Sequence, residues 1–326
     1  MTWLVTGGAG YIGSHVVRRL RADGYPVVVL DDLSSGTAAR VPEDVPLVAA
    51  TVTDEHAVAR ALYRYRVTGV VHLAARKSPA ESVARPDWYH RENVGGVAAL
   101  LAAMRATGVR RLLFSSSAAV YGVPGRPVVD ERTATVPINP YGHTKLLGER
   151  LIRTSAAGSG LSWLALRYFN VVGAAAAPLA DRAPTNLVPI AFGALAAGEP
   201  VTVTGADYPT RDGTGVRDYI HVVDLAAAHA AGVARLSVGP VASGVLNVGT
   251  GRGYSVLEVL ARIEAVTGQR LGYRLGPRRP GDPPEVVADV ARIRAELGWR
   301  ARHDLTDMVA STWLAWSAPP VPAAPG

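Results

Sequence analysis

The chain has 326 residues, 48% of them hydrophobic and 19% charged, a formal net charge of +7 and no cysteine. That length suits one large α/β domain or two interlocked ones, and the missing thiols exclude disulfides and thiolate metal sites and fit a reducing cytoplasm. The arginines fall in scattered pairs such as Arg18-Arg19 and Arg110-Arg111 with no aromatic-interleaved stripe, so no nucleic acid is expected; no apolar run nears the ~20 residues that span a bilayer, so no membrane is expected either.

In chain order, β-rich runs alternate with amphipathic ones. Residues 3–6, 27–30, 47–50, 70–74, 111–116 and 164–169 read as buried strands, and residues 14–22, 55–66, 88–107 and 141–156 as helices between them. No signal peptide is expected before the first strand. Such alternation predicts an α/β fold with a doubly wound parallel sheet and right-handed crossovers. The pattern loosens after Val172. Residues 173–183 read as small-residue loop, 187–197 as helix, and 205–215 as a long functional loop. Residues 219–236 then read as a helix and 244–248 as a strand, both returning to the main sheet. Ser255-x-x-Glu258 is a capping box that opens a helix to Thr267. Residues 304–316 read as a last helix, and the Pro/Ala-rich end, 319–326, as a disordered tail.

Thr6-Gly7-Gly8-Ala9-Gly10-Tyr11-Ile12-Gly13 follows the first strand and opens the first helix. Glycines at 7, 10 and 13 permit a tight turn and close backbone approach, and the helix N-terminus offers amides and a positive dipole end to a pyrophosphate. The spacing alone is weak; the strand–turn–helix context is what the mechanism requires. Asp31 ends the second strand, near the place of the acid that accepts from the adenosine ribose hydroxyls. A carboxylate there repels a 2′-phosphate, so NAD is expected over NADP; the alternative is a loop acid beside Asp32.

Only two lysines occur, Lys77 and Lys145. Lys145 completes Tyr141-Gly-His-Thr-Lys145, and residues four apart share one face of a helix. A compact ammonium there can lower a phenol's pKa and leave room for a ribose, which a forked guanidinium does poorly. Ser117 ends Ser115-Ser116-Ser117 at a strand terminus, where an open α/β sheet binds its ligands. Its hydroxyl could bond a substrate hydroxyl or the keto oxygen formed from it; a Ser-rich turn is the alternative.

The glycine fingerprint, Asp31, Ser117 and the Tyr141/Lys145 pair together resemble an extended short-chain dehydrogenase/reductase. Three stretches narrow the resemblance: His72-Leu-Ala-Ala-Arg-Lys77-Ser-Pro-Ala-Glu-Ser82; the segment from Asp207 through Arg217 and His221 to Asp224; and Arg278-Arg279-Pro-Gly-Asp282. With them the chain is similar to the UDP-glucose 4-epimerase family from Thr2 to about Ser317. The middle stretch is the most specific.

The resemblance implies a Rossmann sheet for NAD, residues 1–173 with 219–250 returning to it. A smaller mixed α/β domain, residues 174–218 and 251–318, would take a UDP-sugar. Gly7, Gly10, Tyr11, Ile12, Gly13, Asp31, Leu73, Ala74, Ala75, Lys77, Tyr141 and Lys145 would hold the cofactor, and Phe169 would pack near the nicotinamide. Lys77, Ser117, Tyr141, Asn170, Asn186, Leu187, Arg217, Arg279 and Asp282 would face the UDP-hexose. A diphosphate needs paired cations, which favours that role for Arg279 over a surface one. Val286 matches a gate for the C2 substituent, where a small residue admits N-acetylhexosamines. Three positions depart from the family pattern. Thr51-Val52 replaces an Asp-Ile that reaches the adenine, Glu92 replaces an asparagine at the cofactor, and Ala119 replaces a threonine after the serines.

The implied activity is an isomerase acting at C4 of UDP-glucose and UDP-galactose. Tyr141 as phenolate takes the hydroxyl proton, a 4-keto sugar turns while UDP stays anchored, and no net redox or metal is involved. UDP-GlcNAc/UDP-GalNAc or UDP-uronates are alternative substrates. A non-catalytic NAD-binding sensor is the alternative of another class, and it would be free to lose Tyr141 or Lys145. A 4,6-dehydratase needs an acid and a base after the serine, where this chain has Ala118 and Ala119; a keto-sugar reductase tends to use NADPH, which Asp31 opposes. A homodimer through the helices at 88–107 and 141–156 is implied by resemblance alone.

Overall fold

The computed structural model describes residues 1–239, 243–279 and 281–318; the expected tail, 319–326, lies outside them. In chain order the first half consists of β1 (Thr2–Thr6), α1 (Tyr11–Ala22), β2 (Val27–Asp31), β3 (Leu47–Ala49), α2 (Glu55–Arg64), β4 (Val67–His72), α3 (Pro79–Ala84), α4 (Pro86–Tyr89), α5 (Gly96–Thr107), β5 (Arg111–Ser117), β6 (Val128–Val129) and α6 (Pro140–Ala156). The second half follows with β7 (Ser162–Tyr168), β8 (Asn170–Val172), α7 (Leu187–Ala197), β9 (Val201–Thr204), β10 (Val216–His221), α8 (Val222–Ser237), β11 (Gly244–Val248), β12 (Gly253–Ser255), α9 (Val256–Thr267), β13 (Tyr273–Gly276), β14 (Glu285–Ala288), α10 (Ala291–Leu297) and α11 (Leu305–Ser317).

Seven strands form a parallel sheet in the order β3-β2-β1-β4-β5-β7-β11. β2 reads Val-Val-Val-Leu-Asp and is buried along its whole length, as a strand covered on both faces must be. Alternation sorts the side chains into two cores. Trp3 and Val5 of β1 join Val16, Leu20 and Leu225 from α1 and α8, whereas Leu4 joins Val58, Leu62 and Leu100 from α2 and α5. A second sheet, β12-β10-β14-β6 with β8 beside β10, and the β13-β9 pair complete the strands among the described residues. The third core lies with them, around Phe192, Val203, Ile263 and Met308. Among the described residues no helix is long and apolar enough to cross a membrane.

Four expected elements differ. Residues 219–221 are strand, because α8 starts only at Val222, where the His221 imidazole caps it by accepting from the Val223 amide at 3.0 Å. β10 therefore joins the second sheet, while α8 packs on the main sheet, with Leu225 and Val233 in its core, and β11 joins that sheet at its edge beside β7. The 88–107 stretch is not one helix: Pro86 starts α4, a π-helical turn fills His90–Gly95, and α5 begins at Gly96. The fourth strand runs Val67–His72 rather than 70–74, and the chain leaves the sheet at Leu73. Helix α2 stops at Arg64, with Arg66 at φ 50° turning the chain into β4. Both α9 and α11 open with complete capping boxes, Ser255/Glu258 and Asp304/Asp307.

Candidate active site

Strand order reverses between β1 and β4, and there the C-terminal strand ends open on a cavity of about 420 Å³. Gly7, Gly10, Tyr11, Ile12, Gly13, Asp31, Thr51, Val52, Leu73, Ala74, Ala75, Lys77, Tyr141 and Lys145 all line it. At Gly7, with φ +73°, a Cβ would lie 2.7 Å from the Ala74 nitrogen; at Gly13 it would lie 2.0 Å from the Gly7 oxygen. The turn is thus packed backbone against backbone, and α1 starts from it at Gly10 with no side-chain cap and no acid in its first turn. The Asp31 carboxylate is fixed by the Ala9 and Leu33 amides, both at 2.9 Å. Burial raises its pKa, against the pull of those two amides.

Helix α6 is set by Asn139, which accepts from the Gly142 amide at 2.8 Å, and by Pro140 in its first turn. Tyr141, Lys145 and Glu149 then follow at four-residue spacing on one buried face. The Lys145 ammonium donates to the Ser115 carbonyl at 2.8 Å, and burial lowers its pKa to about 8 while Glu149 opposes the drop. Burial raises the Tyr141 phenol, and the Ser117 hydroxyl beside it pulls the other way. The direction is opposite to the one expected from the Tyr-x-x-x-Lys spacing, because desolvation of the buried phenol is the largest influence on it.

The three serines divide their work among three partners. Ser115 Oγ bonds His229 Nε2 of α8 at 2.8 Å, Ser116 Oγ donates to Glu149 Oε1 at 2.5 Å, and Ser117 accepts from the Ala119 amide at 3.1 Å next to Tyr141. Glu149 in turn takes a fork from Arg167, at 2.9 and 2.6 Å, with both side chains buried. Arg167 also donates to the Tyr121 hydroxyl at 3.1 Å, and Tyr121 donates to Asn247 at 2.7 Å.

The remaining expected residues sit outside the cavity lining. Phe169 packs in the core with Ile220 and Val248, and its neighbour Tyr168 is the one that lines the cavity. Asn170 is exposed in β8. Asn186 donates to Asp181 at 3.1 Å just before Leu187 begins α7. Arg217 donates to Asp282 at 2.8 Å, and Val286 faces Arg217 across the β10–β14 ladder, buried in the core. Arg279 is exposed, and its carbonyl accepts the Asp282 amide at 3.1 Å. Cavity residues that the sequence did not single out include Ser34, Arg40, Arg76, Tyr168, Asp181 and Arg182. Lys77 lies 3.9 Å from Asp181 and 5.9 Å from the Tyr11 ring centroid, and Tyr11 is anchored to the Gly173 carbonyl at 2.6 Å. Arg76 is adjacent to Lys77 and could have been read with it. Asp181 lies in a stretch that reads only as small-residue loop. Among the described residues no group of three or more His, Asp or Glu side chains could hold a metal ion.

A family model described as the NAD dependent epimerase/dehydratase family matches residues 3–249. A UDP-glucose 4-epimerase of Azospirillum brasilense is 44% identical over 317 residues, covering 96% of this chain and 91% of the relative. A UDP-glucose-4-epimerase structure from Stenotrophomonas maltophila, with bound NAD and formylated UDP-arabinopyranose, superposes with a TM-score of 0.92 at 43% identity, covering 97% of this chain and 98% of that one. One from Bifidobacterium longum, in complex with NAD+ and UDP, gives 0.89 at 39%, with the same coverage. The chain therefore belongs to the NAD dependent epimerase/dehydratase family, and within it to the UDP-glucose 4-epimerase group.

Proposed function

We propose that the chain is an NAD-dependent isomerase that interconverts UDP-glucose and UDP-galactose through a transient 4-keto sugar. The observation that carries this reading is one shared cavity, onto which the glycine turn, Asp31 and the Tyr141/Lys145 face of α6 all open. The turn's closeness at Gly7 and Gly13 fits a pyrophosphate laid on backbone, and the fixed Asp31 carboxylate fits ribose hydroxyls. When bound, NAD+ supplies the acceptor for the C4 hydrogen and, once reduced, its donor.

Tyr141 takes the proton of the C4 hydroxyl and returns it to the keto oxygen after the sugar has turned, with Ser117 assisting. Bringing a phenol from ~10 to ~7 takes about 4 kcal/mol. Burial adds to that demand, so Lys145 is needed as a fixed cation in a site shielded from water. Ala118 and Ala119 follow Ser117 directly, and neither can move a proton, which disfavours dehydration. Arg217, Arg279 and Asp282 would anchor the nucleotide and its diphosphate, with Asn170, Asn186 and Leu187 beside them. Residues 174–218 and 251–318 would form the sugar-nucleotide domain against an NAD domain of 1–173 and 219–250. A homodimer through the 88–107 region and α6, in the cytoplasm, completes the reading; the absence of cysteine supports the compartment.

The test is to denature the purified protein, look for released NAD, and incubate native protein with UDP-galactose. Release of NAD with formation of UDP-glucose is expected. NAD bound without epimerisation of UDP-galactose, UDP-GalNAc or UDP-glucuronate would overturn the epimerase and leave a binding-only sensor.

A further inference from the structure

We propose that Arg76 is a cofactor-retention residue, a strap that joins the loop after β4 to the loop after β2 across the glycine turn. The inference rests on the reading of the cavity as an NAD site.

The sheet order β4-β1-β2 places the turn after β1 between those two loops, and Thr6 at the end of β1 is paired with both His72 and Leu30. A bond from one flanking loop to the other bridges the two sides of the cavity on which the turn opens. Arg76 makes that bond: its guanidinium donates to Ser34 Oγ at 2.8 Å and approaches the Asp32 carboxylate at 3.4 Å. The same group stands 3.7 Å from Glu92 on the π-helical turn and 4.6 Å from the centre of the Trp88 ring. Asp32, Ser34, Arg76 and Glu92 all line the cavity.

The strap is also anchored at its root. Asn93 accepts from the Arg76 amide at 2.8 Å and donates to the Arg76 carbonyl at 3.0 Å, then donates to Thr144 on α6 at 2.9 Å. Four partners around one planar cation is a task for arginine; an ammonium offers neither the fork nor the flat face. Lys77, the next residue, leans the other way towards Asp181, so two successive side chains reach from one loop to both sides of the cavity. The chemistry identifies the device as a closure of the rim, and the ligand enclosed is a dinucleotide with its adenosine half against Asp31.

The experiment uses purified holoprotein exchanged into NAD-free buffer, with retained NAD measured over time after denaturation. Arg76→Leu is expected to release NAD about tenfold faster, the effect of losing two or three part-exposed charge contacts. Arg76→Lys is expected to release it nearly as fast. Added salt should speed release from the parent chain and have little effect on Arg76→Leu. Release from Arg76→Leu at the parent rate, with the parent's salt response, overturns the strap. Should Arg76→Leu fail to fold, Glu92→Gln and Ser34→Ala each remove one partner, and parent-rate release from both overturns it equally. A protein that takes up no NAD removes the reading of the cavity and the strap together, whereas uptake followed by parent-rate release removes the strap alone.

Discussion

Lys145 donates its ammonium proton to the Ser115 carbonyl at 2.8 Å, tying α6 to the end of β5 through a buried cation. That contact only partly replaces lost hydration, and burial leaves the lysine at about 8, below its ordinary 10.5. The folded chain therefore releases this proton before the unfolded chain does. Stability rises with pH between about 8 and 10.5, and at neutral pH the folded state carries the full cost, on the order of 3 kcal/mol. Lys145→Met is expected to raise the melting temperature at pH 7 and to lower turnover at least ~100-fold. Calorimetry at pH 7 and 10 checks it: the gain should shrink at the higher pH, and a lower melting temperature at pH 7 would refute the argument.

Glu149 holds a different balance. It accepts both arms of Arg167 and the Ser116 hydroxyl with no solvent to share the load. Glu149→Gln leaves a buried guanidinium without its counter-charge, an expected loss of about 3–5 kcal/mol in urea denaturation. Glu149→Leu combined with Arg167→Met should recover most of it, since neither charge is then stranded. The same Glu149→Gln change removes the charge that holds Lys145 up, so the alkaline limb of the rate profile should move to lower pH.

Tyr141→Phe removes the proton carrier without disturbing a helix set by Asn139 and Pro140. Turnover of UDP-galactose should fall by about 10²–10⁴-fold while NAD content after gel filtration stays at the parent level. Near-normal turnover in that variant would remove Tyr141 from its role. Ser117→Ala should fall less, since Ser117 assists a proton that Tyr141 carries.

Much of this was legible in the residues, and the rest was not for identifiable reasons. The main sheet could be read because buried parallel strands such as Val27–Asp31 are continuous apolar runs between amphipathic helices. The second sheet could not, because β6, β8, β12 and β14 have two to four residues and show no period. Glycine spacing and the Tyr141/Lys145 pair are local signals. The Arg76–Ser34 and Lys77–Asp181 contacts span 42 and 104 positions, and nothing local marks the partners. The upward direction of the Tyr141 shift was not legible because residue spacing carries no information on how deeply the phenol is buried.

The glycine turn offers the sharpest separation of fold from binding. A methyl at Gly13 would meet the Gly7 oxygen at 2.0 Å and the Gly7 carbon and Gly8 Cα at 2.8 Å, all backbone and unable to yield. Gly13→Ala should therefore push α1 off the end of β1 and cost the apoprotein about 1–3 kcal/mol or more. Gly10 is a different case. Its φ of −76° suits any residue, and a methyl there meets only the Gly7 oxygen, at 3.3 Å. Gly10→Ala should leave the apoprotein's urea midpoint nearly unchanged and weaken NAD binding in a titration, because the added methyl occupies space that faces the cavity. Equal stability of the two apo variants would refute the close packing at Gly13. Unaltered NAD affinity in Gly10→Ala would place the pyrophosphate elsewhere than against this turn.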